Sequence, residues 1–384
     1  MKLNIFQDKN IILGVTGSIA AYKAVDLASK LTQAGAIVHC VLTESAEKFV
    51  SPLSFQSVTG KKSFTDQDLW GNEGHVTHIG LGHIADLLLI APATATTLSR
   101  LAQGLGDNLL SVTALAADCP MVIAPAMDGG MYAHPATQAN IEILKKRGVT
   151  FVGPGEGHLA SGLIGPGRLV ETHEIIGHLR HILGKGKALD KKKIIVTAGP
   201  TQEAIDPVRI ITNHSSGKQG YAIAQAALDY GAQVTLITGV TNLDPPIGCK
   251  VIHIRSAEEM LQTVLAESQD CYALVMAAAV ADFRPVISED KKIKKTSGSP
   301  QIEFEPTQDI LKAVSKIRKE TDKPEMVIGF AAESNDLIAN AKKKMDSKML
   351  DLIIGNDITA KDAGFKVDTN KVILLSMEIV KTCR

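Results

Sequence analysis

The chain has 384 residues, with 45% hydrophobic and 21% charged side chains, and 41 basic residues balance 41 acidic ones. That composition excludes a disordered chain and gives enough length for two or three domains, each with its own core. Zero net charge, one tryptophan and 4% aromatics exclude the basic, stacking surface of a general nucleic-acid binder and the basic face of a membrane-surface protein.

The N-terminus, MKLNIFQDKNIILGVTG, has no signal-peptide pattern, and no apolar run reaches the ~18 residues of a membrane span. Five cysteines are scattered at 40, 119, 249, 271 and 383, without CxxC spacing. No disulfide framework or zinc site is expected, and reducing cytoplasm is the expected setting.

In chain order, NIILGVT (10–16) predicts a buried strand, Gly17-Ser18 a turn, residues 19–34 a helix stopped by Gly35, and residues 37–42 a second strand. Apolar runs at 86–90 and 121–124 predict further strands. HILGKGKALDKKK (181–193) cannot fill a core and is the expected boundary, giving domains 1–186 and 187–384. The pattern then restarts: a strand at 193–197, a helix over 217–230 stopped by Gly231, and strands at 233–238, 273–276, 326–329, 351–355 and 371–376. Near-continuous apolar strands are those of parallel sheets covered by helices on both faces. The expected fold is α/β, two doubly wound Rossmann- or flavodoxin-like parallel-sheet domains.

Candidate sites follow from that topology. Ligands of open α/β sheets lie beyond strand C-terminal ends. Gly17, Ser18 and Ile19 after the first strand form a tight turn or a phosphate-holding loop at a helix start. Thr43, Ala91 and Thr94 follow two other strands and favour a nucleotide-type site. His78 is a structural or a catalytic histidine, with His75 and His83 as rivals. A His75-x-x-His78 metal pair lacks further ligands. Asp128, an acid at the end of a buried strand, is hard to explain as packing. Asn213-His214-Ser215-Ser216-Gly217-Lys218 is a polar lead into a helix, readable as an N-cap, and lacks P-loop spacing. DKKIKK (290–295) reads as a solvated loop on charge alone.

In combination, GVTGSIAAYKA (14–24), LTESAEKFVSPLSFQSVTG (42–60), HIGLGHIADLLLIAPATA (78–95), APAMDGGMY (124–132) and ASGLIGPGRL (160–169) resemble a known family. So do TAGPTQEAIDPVRIITNHSSGKQGYAIA (197–224), AAAVADFRP (277–285), KIKK (292–295), QDIL (308–311) and GFAAES (329–334). The family is the bifunctional coenzyme A biosynthesis flavoprotein, a phosphopantothenoylcysteine decarboxylase fused to a phosphopantothenate–cysteine ligase. The resemblance covers nearly the whole chain.

For the first half, the resemblance implies an FMN-binding flavodoxin-like fold assembled through trimers. FMN oxidises the cysteine end to a thioaldehyde, CO₂ leaves, and hydride returns to the enethiol. His78 would manage protons, and Met131 would lie on the substrate side. Two positions depart from the family pattern. Asp128 stands where the pattern has an asparagine that donates to the substrate carboxylate. Ser161 stands where it has a cysteine acid, and a hydroxyl is a far weaker acid than a thiol. The expectation is that Ser161 relays a proton, or that the first half is slow, stops early or is silent.

For the second half, the resemblance implies a CTP-using ligase. Met276, Ala277, Ala278, Asp282, Lys292, Gln308, Asp309, Ile310, Leu311, Phe330, Lys344 and Lys348 would contact CTP, and Asn213 would hold the acyl-cytidylate. Mg²⁺ would ride mainly on the CTP phosphates, and Lys292 would be a lid residue. Substrates would be 4′-phosphopantothenate and L-cysteine, within a homo-oligomer of trimer-based decarboxylase cores and ligase dimers. Family members commonly continue into a further helix after the last strand here. The alternatives are a ligase with an impaired decarboxylase half, or a non-enzymatic flavoprotein subunit that inhibits phosphatases; the intact ligase motifs and lack of acidic tails argue against the latter. A nicotinamide dehydrogenase is disfavoured by the absence of GxGxxG.

Overall fold

The computed structural model describes residues 4–70, 76–294, 301–333, 337–357, 372–376 and 380–383. The chain divides into two compact units, Met1–Leu183 and Gly184–Arg384.

The first unit runs β1 (Asn10–Val15), α1 (Ala21–Gln33), β2 (Ile37–Leu42), α2 (Glu44–Glu47), α3 (Pro52–Thr59), α4 (Thr77–Ile84) and β3 (Leu87–Ala93). It continues through α5 (Ala95–Gln103), α6 (Leu109–Ala116), β4 (Met121–Pro125), α7 (Gly129–Ala133), α8 (Pro135–Lys146) and β5 (Thr150–Phe151). The antiparallel hairpin β6 (Gly155–His158) and β7 (Ile164–Arg168) and then α9 (Thr172–Gly184) close it. The five main strands are parallel, in the order β2-β1-β3-β4-β5. Successive side chains on a strand point to opposite faces, so an all-apolar strand feeds two cores. Ile11, Leu13, Leu87 and Leu89 pack with Leu27 and Leu31 of α1, Phe55 of α3 and Leu179 of α9. Their neighbours Ile12, Leu88 and Ile90 pack instead with Leu98 of α5, Leu110 of α6 and Ile141 of α8. Phe55 is fully buried; removing such a side chain from water is worth about 1.5–3 kcal/mol.

The second unit runs β8 (Lys193–Ala198), β9 (Gln202–Ala204), β10 (Ile210–Thr212), α10 (Lys218–Asp229), β11 (Gln233–Thr238), β12 (Lys250–His253), α11 (Ala257–Glu267) and β13 (Ala273–Met276). After these come β14 (Phe283–Pro285), β15 (Phe304–Pro306), α12 (Ile310–Thr321), β16 (Met326–Glu333), α13 (Leu337–Lys348), β17 (Leu352–Asp357), β18 (Val372–Leu375) and β19 (Val380–Cys383). The main sheet has the order β12-β11-β8-β13-β16-β17-β18-β19. Its first six strands are parallel, and β18 and β19 add an antiparallel edge. The same alternation divides β8: Ile195 faces Met260 and Val264 of α11, whereas Ile194 and Val196 face Tyr221 and Ala224 of α10.

The structure adds strands β5 and β12, which the sequence pattern did not show, and two further details differ from that pattern. The segment expected as linker from residue 181 begins as the last turn of α9, which extends to Gly184. The apolar run at 371–376 is only the first arm of a hairpin whose second arm, β19, too short to show a period in the sequence, lies antiparallel to it.

Candidate functional sites at two strand-order reversals

In the first unit the strand order reverses between β1 and β3. A crevice opens at such a point because the crossovers leave it in opposite directions. Thr16 bridges the two strand ends there. Its hydroxyl donates to the Pro92 carbonyl at 2.8 Å and accepts from the Thr94 N–H at 3.1 Å. Thr16 went unnoticed in the sequence because it continues an apolar run.

The expected phosphate-loop residues divide into frame and lining. Gly17 belongs to the frame: a Cβ there would come within 2.4 Å of the Ser45 Cβ. Thr43 caps α2 by accepting from Ala46 N, and Thr94 caps α5 by accepting from Thr97 N. Both hydroxyls thus satisfy helix-end donors. Ala91 is fully buried in the core.

Ser18 and Ile19 line a cavity of about 460 Å³, as do Lys23, Asp128, Ser161 and Arg168. This volume lies within the range of about 300–1,000 Å³ usual for small-molecule and cofactor sites. The β6–β7 hairpin is docked on this cavity by backbone: Met127 N–H donates to the Gly167 carbonyl at 2.9 Å. Gly167 has φ +139°, and a Cβ there would sit 2.1 Å from the Met127 carbonyl oxygen, so the close approach requires glycine. At the hairpin tip, the Ser161 hydroxyl donates to Asp128 Oδ2 at 2.6 Å. Asp128 Oδ1 accepts from Gly130 N at 2.9 Å and caps α7. The Ser161 hydroxyl, followed by the Gly130 N–H, holds the Asp128 carboxyl below the usual carboxylate range, so it is ionised at neutral pH. Lys23 and Arg168 both pair with Glu171, at 3.2 and 2.6 Å. These two cations were not singled out from the sequence as ligand contacts; Arg168 was noted only as part of the hairpin motif.

His78 and Met131 do not line this cavity. His78 is on α4, which packs tightly on α6: a Cβ at Gly82 would meet the Ala116 backbone at 2.8 Å. Its Nδ1 is buried and has no hydrogen-bond partner among the described residues. Met131 is 52% exposed on α7. His75 lies outside the described residues, and among these no group of three or more His, Cys, Asp or Glu could hold a metal.

In the second unit the order reverses between β8 and β13. Beside that point the turns after β8 and β11 press backbone on backbone, since a Cβ at Gly239 would lie 1.9 Å from the Pro200 carbonyl oxygen. Thr197 Oγ1 accepts from Ala278 N at 3.1 Å, and the same hydroxyl lies 3.7 Å from Met276 Sδ. Ala277 N donates to the Val275 carbonyl at 3.2 Å. Thr201 Oγ1 accepts from Ala281 N at 2.9 Å. Asn213 Nδ2 donates to the Val280 carbonyl at 3.0 Å and to that of Ala279 at 3.4 Å. Met276–Ala278 and Asn213 are therefore brought to one strand end. Asp282 follows, with an exposed side chain, and its carbonyl accepts from Thr307 N at 2.9 Å.

Gln308 is exposed just before α12, and Ile310 and Leu311 are buried in the core beneath that helix. Only their backbone is free to serve a ligand. Asp309 caps α12 and pairs with Lys348 at 2.9 Å. Burial opposes its ionisation, but the hydrogen bonds from Lys348 and Lys312 N keep its carboxyl below the usual range. Lys344 Nζ donates to the Phe330 carbonyl at 2.8 Å. Lys292 is exposed on the lysine turn; Lys295 and Ser334 of the sequence motifs lie outside the described residues.

Residues 4–184 match the family described as Flavoprotein, and residues 189–383 match the DNA/pantothenate metabolism flavoprotein C-terminal domain. Fold and these matches define the class: a flavoprotein-type α/β unit fused to a second α/β unit of the DNA/pantothenate metabolism flavoprotein C-terminal type. The coenzyme A biosynthesis bifunctional protein CoaBC of Bacillus subtilis is 44% identical over 373 residues, spanning 96% of this chain and 91% of that protein. That of Vibrio vulnificus is 41% identical over 391 residues, 97% and 96% of the two chains. A crystal structure of the C-terminal domain of a CoaBC protein aligns at 37% identity with a TM-score of 0.43, covering 52% of this chain and 89% of that one. The chain belongs to the CoaBC family of bifunctional coenzyme A biosynthesis proteins. No helix among the described residues is long and apolar enough to cross a membrane.

Proposed function

We propose that the second unit joins 4′-phosphopantothenate to L-cysteine with CTP, and that the first unit decarboxylates the product to 4′-phosphopantetheine with bound FMN. Family membership supports the pair of activities. The observations that support the site assignment are that Ser18, Ile19, Asp128 and Ser161 line one cavity, and that Asn213 is tied to the strand end after Met276–Ala278.

In the ligase step a carboxylate oxygen of 4′-phosphopantothenate attacks the α-phosphorus of CTP, and the bond to pyrophosphate breaks. The cysteine amine then attacks the acyl carbon, CMP leaves, and the amine loses a proton. Met276–Ala278 and the backbone at Asp309–Leu311 line the nucleotide, with Asp282, Gln308 and Phe330 at its edge. Lys292, Lys344 and Lys348 supply positive charge as the phosphate charge shifts. Asn213, tied by its amide N–H to two backbone carbonyls, presents its remaining oxygen to the acyl-cytidylate. With no metal-holding cluster among the described residues, Mg²⁺ would be bound chiefly by the triphosphate.

In the first unit the residues fit FMN: the cavity is large enough, Gly17 leaves no room for a side chain in the turn, and Ser18 and Ile19 face the space. When bound, the flavin supplies two-electron oxidation and reduction of the cysteine-derived carbons. Lys23 and Arg168 attract the anionic substrate, and Asp128 fixes Ser161. His78 and Met131 reach the cavity from a second copy of the chain. Exposed Val76 just before α4, Ile79 and Ile84 on α4, and Leu115 on α6 support such a homo-oligomeric contact.

One observation favours a second reading, a ligase with a slow decarboxylase. The Ser161 hydroxyl donates its hydrogen bond to an ionised carboxylate, so it is a poor proton donor to carbon. Purified protein should be yellow, release no pyrophosphate from CTP without phosphopantothenate, and turn over repeatedly only when cysteine is also present, stopping after a single turnover without it. Pyrophosphate release that needs no phosphopantothenate would overturn the ligase assignment, and a colourless protein that cannot be loaded with FMN would overturn the decarboxylase one.

A further inference from the structure

The lysine turn at 291–294 is exposed and highly charged, a segment expected to sample many conformations. Instead it is fastened at one residue. Ile293 N–H donates to Asp206 Oδ2 at 3.2 Å, and both terminal nitrogens of the Arg209 guanidinium donate to the Ile293 carbonyl at 3.3 Å. Arg209 Nη1 also pairs with Asp206 Oδ2 at 2.7 Å. The other Asp206 oxygen accepts from Val208 N and Arg209 N, each at 2.8 Å. Asp206 is 2% exposed, and both its oxygens are occupied. A buried carboxylate is retained only when paired and hydrogen-bonded, and here its partners come from two segments 87 residues apart in the chain.

The β9–β10 hairpin carries both this anchor and Asn213, which follows β10 directly. Glu289 N–H donates to the Ile205 carbonyl at 3.0 Å, so the segment leading to the lysine turn is also tied to the hairpin. One end of the hairpin is thus tied to the strand end after β13, through Asn213 and Val280, while its tip holds Ile293.

We propose that Asp206, with Arg209, is a positioning residue for Lys292: it fixes Ile293 and so sets where the neighbouring lysine meets the nucleotide phosphates. This deepens the ligase reading and rests on it. Asp206 itself touches no reacting atom. Replacing Asp206 by asparagine puts an N–H₂ or a weaker acceptor opposite the N–H groups of Ile293 and Arg209, which frees the turn. Displacing a group by about an ångström costs on the order of 100-fold.

The test is a double-mutant cycle on CTP-dependent pyrophosphate release by the full chain, using Asp206→Asn, Lys292→Ala and the double variant. The expected result is that both single variants lose on the order of 10- to 100-fold in kcat/KM for CTP, and that Asp206→Asn costs nothing further once Lys292 is gone. Hydrogen exchange of the peptide containing Ile293 should quicken in Asp206→Asn. If Lys292→Ala is fully active, the ligase reading of this lysine fails and the inference with it. If Lys292→Ala is impaired but Asp206→Asn is not, the positioning role alone is overturned. Losses that multiply in the double variant also overturn it, because a general structural role would act independently of Lys292. Should Asp206→Asn not fold, Arg209→Gln, which leaves the Val208 and Arg209 backbone bonds to Asp206 intact, carries the same cycle with the same outcomes.

Discussion

Ser161 and Asp128 are 33 residues apart in sequence, and both line the first unit's cavity, where they are joined at 2.6 Å. The hydroxyl is a donor to an ionised oxygen, and the carboxylate in turn caps a helix. The two positions that depart from the family pattern are therefore physically one unit.

From this follows a prediction for the reductive half of decarboxylation. Ser161→Cys should raise phosphopantetheine formed per CO₂ released, by about tenfold or more, because a thiol is a far stronger acid than a hydroxyl. Product ratios measured by mass spectrometry under single-turnover conditions check this. Equal ratios for the two proteins would mean that the residue at this position does not limit proton delivery.

Acid sensitivity has a defined sign. Asp128, Asp206 and Asp309 all have carboxyls held below the usual range: Asp128 chiefly by Ser161, Asp206 by the Val208, Ile293 and Arg209 N–H groups and Arg209 charge against its burial, and Asp309 by Lys348 against its burial. A carboxyl lowered on folding adds stability above its unfolded pKa, about 4, and that stability is lost as pH falls through the lower folded value. Urea midpoints should decline below about pH 4 from these carboxyls, after an earlier decline below about pH 6.5 from His39 and His178, whose burial opposes their protonation. A midpoint that rises on acidification would contradict these pairings.

At the alkaline end the thiols act in the opposite direction. Burial pushes the Cys40 and Cys271 thiols up to about 12. In the unfolded chain they ionise near the ordinary value, about 8.5, so their stabilising contribution declines as pH rises above that. Native protein alkylated at pH 8 should leave Cys40 and Cys271 unmodified, and urea should expose both. Rapid labelling of either in native protein would refute the buried placement.

Gly239→Ala should destabilise the chain by about 2 kcal/mol or more, since its Cβ would meet a backbone oxygen at 1.9 Å rather than a movable side chain. A denaturant titration of the variant, followed by circular dichroism, measures it. An unchanged midpoint would show that the two turns separate at little cost.

Most main strands were legible because they are largely apolar runs: Leu87–Ala93 is buried throughout, and every second residue of β1 feeds a different core; the edge strands β5 and β12, short or polar at their ends, were not. The repeated start of a doubly wound unit was legible, as strand–turn–helix restarts at 10 and 193, but the strand order was not. The sites were less so. Thr16 hides inside an apolar pattern, and Thr43 and Thr94 look like ligand residues although their hydroxyls cap helices. No local signal reveals that Asp206 meets Ile293, because the partners are distant in sequence and the carboxylate is buried by tertiary contact alone. The pairing of Ser161 with Asp128 has the same character: both residues attracted notice separately, and only the folded hairpin joins them.

The meeting of Gly239 with Pro200 has a consequence for how the second unit could change over time. Position 239 admits no side chain, so drift in sequence cannot re-space the turns after β8 and β11 from there. Variation at this end of the sheet has to enter through other positions, leaving the contact as a fixed joint between two loops that are otherwise free to diverge.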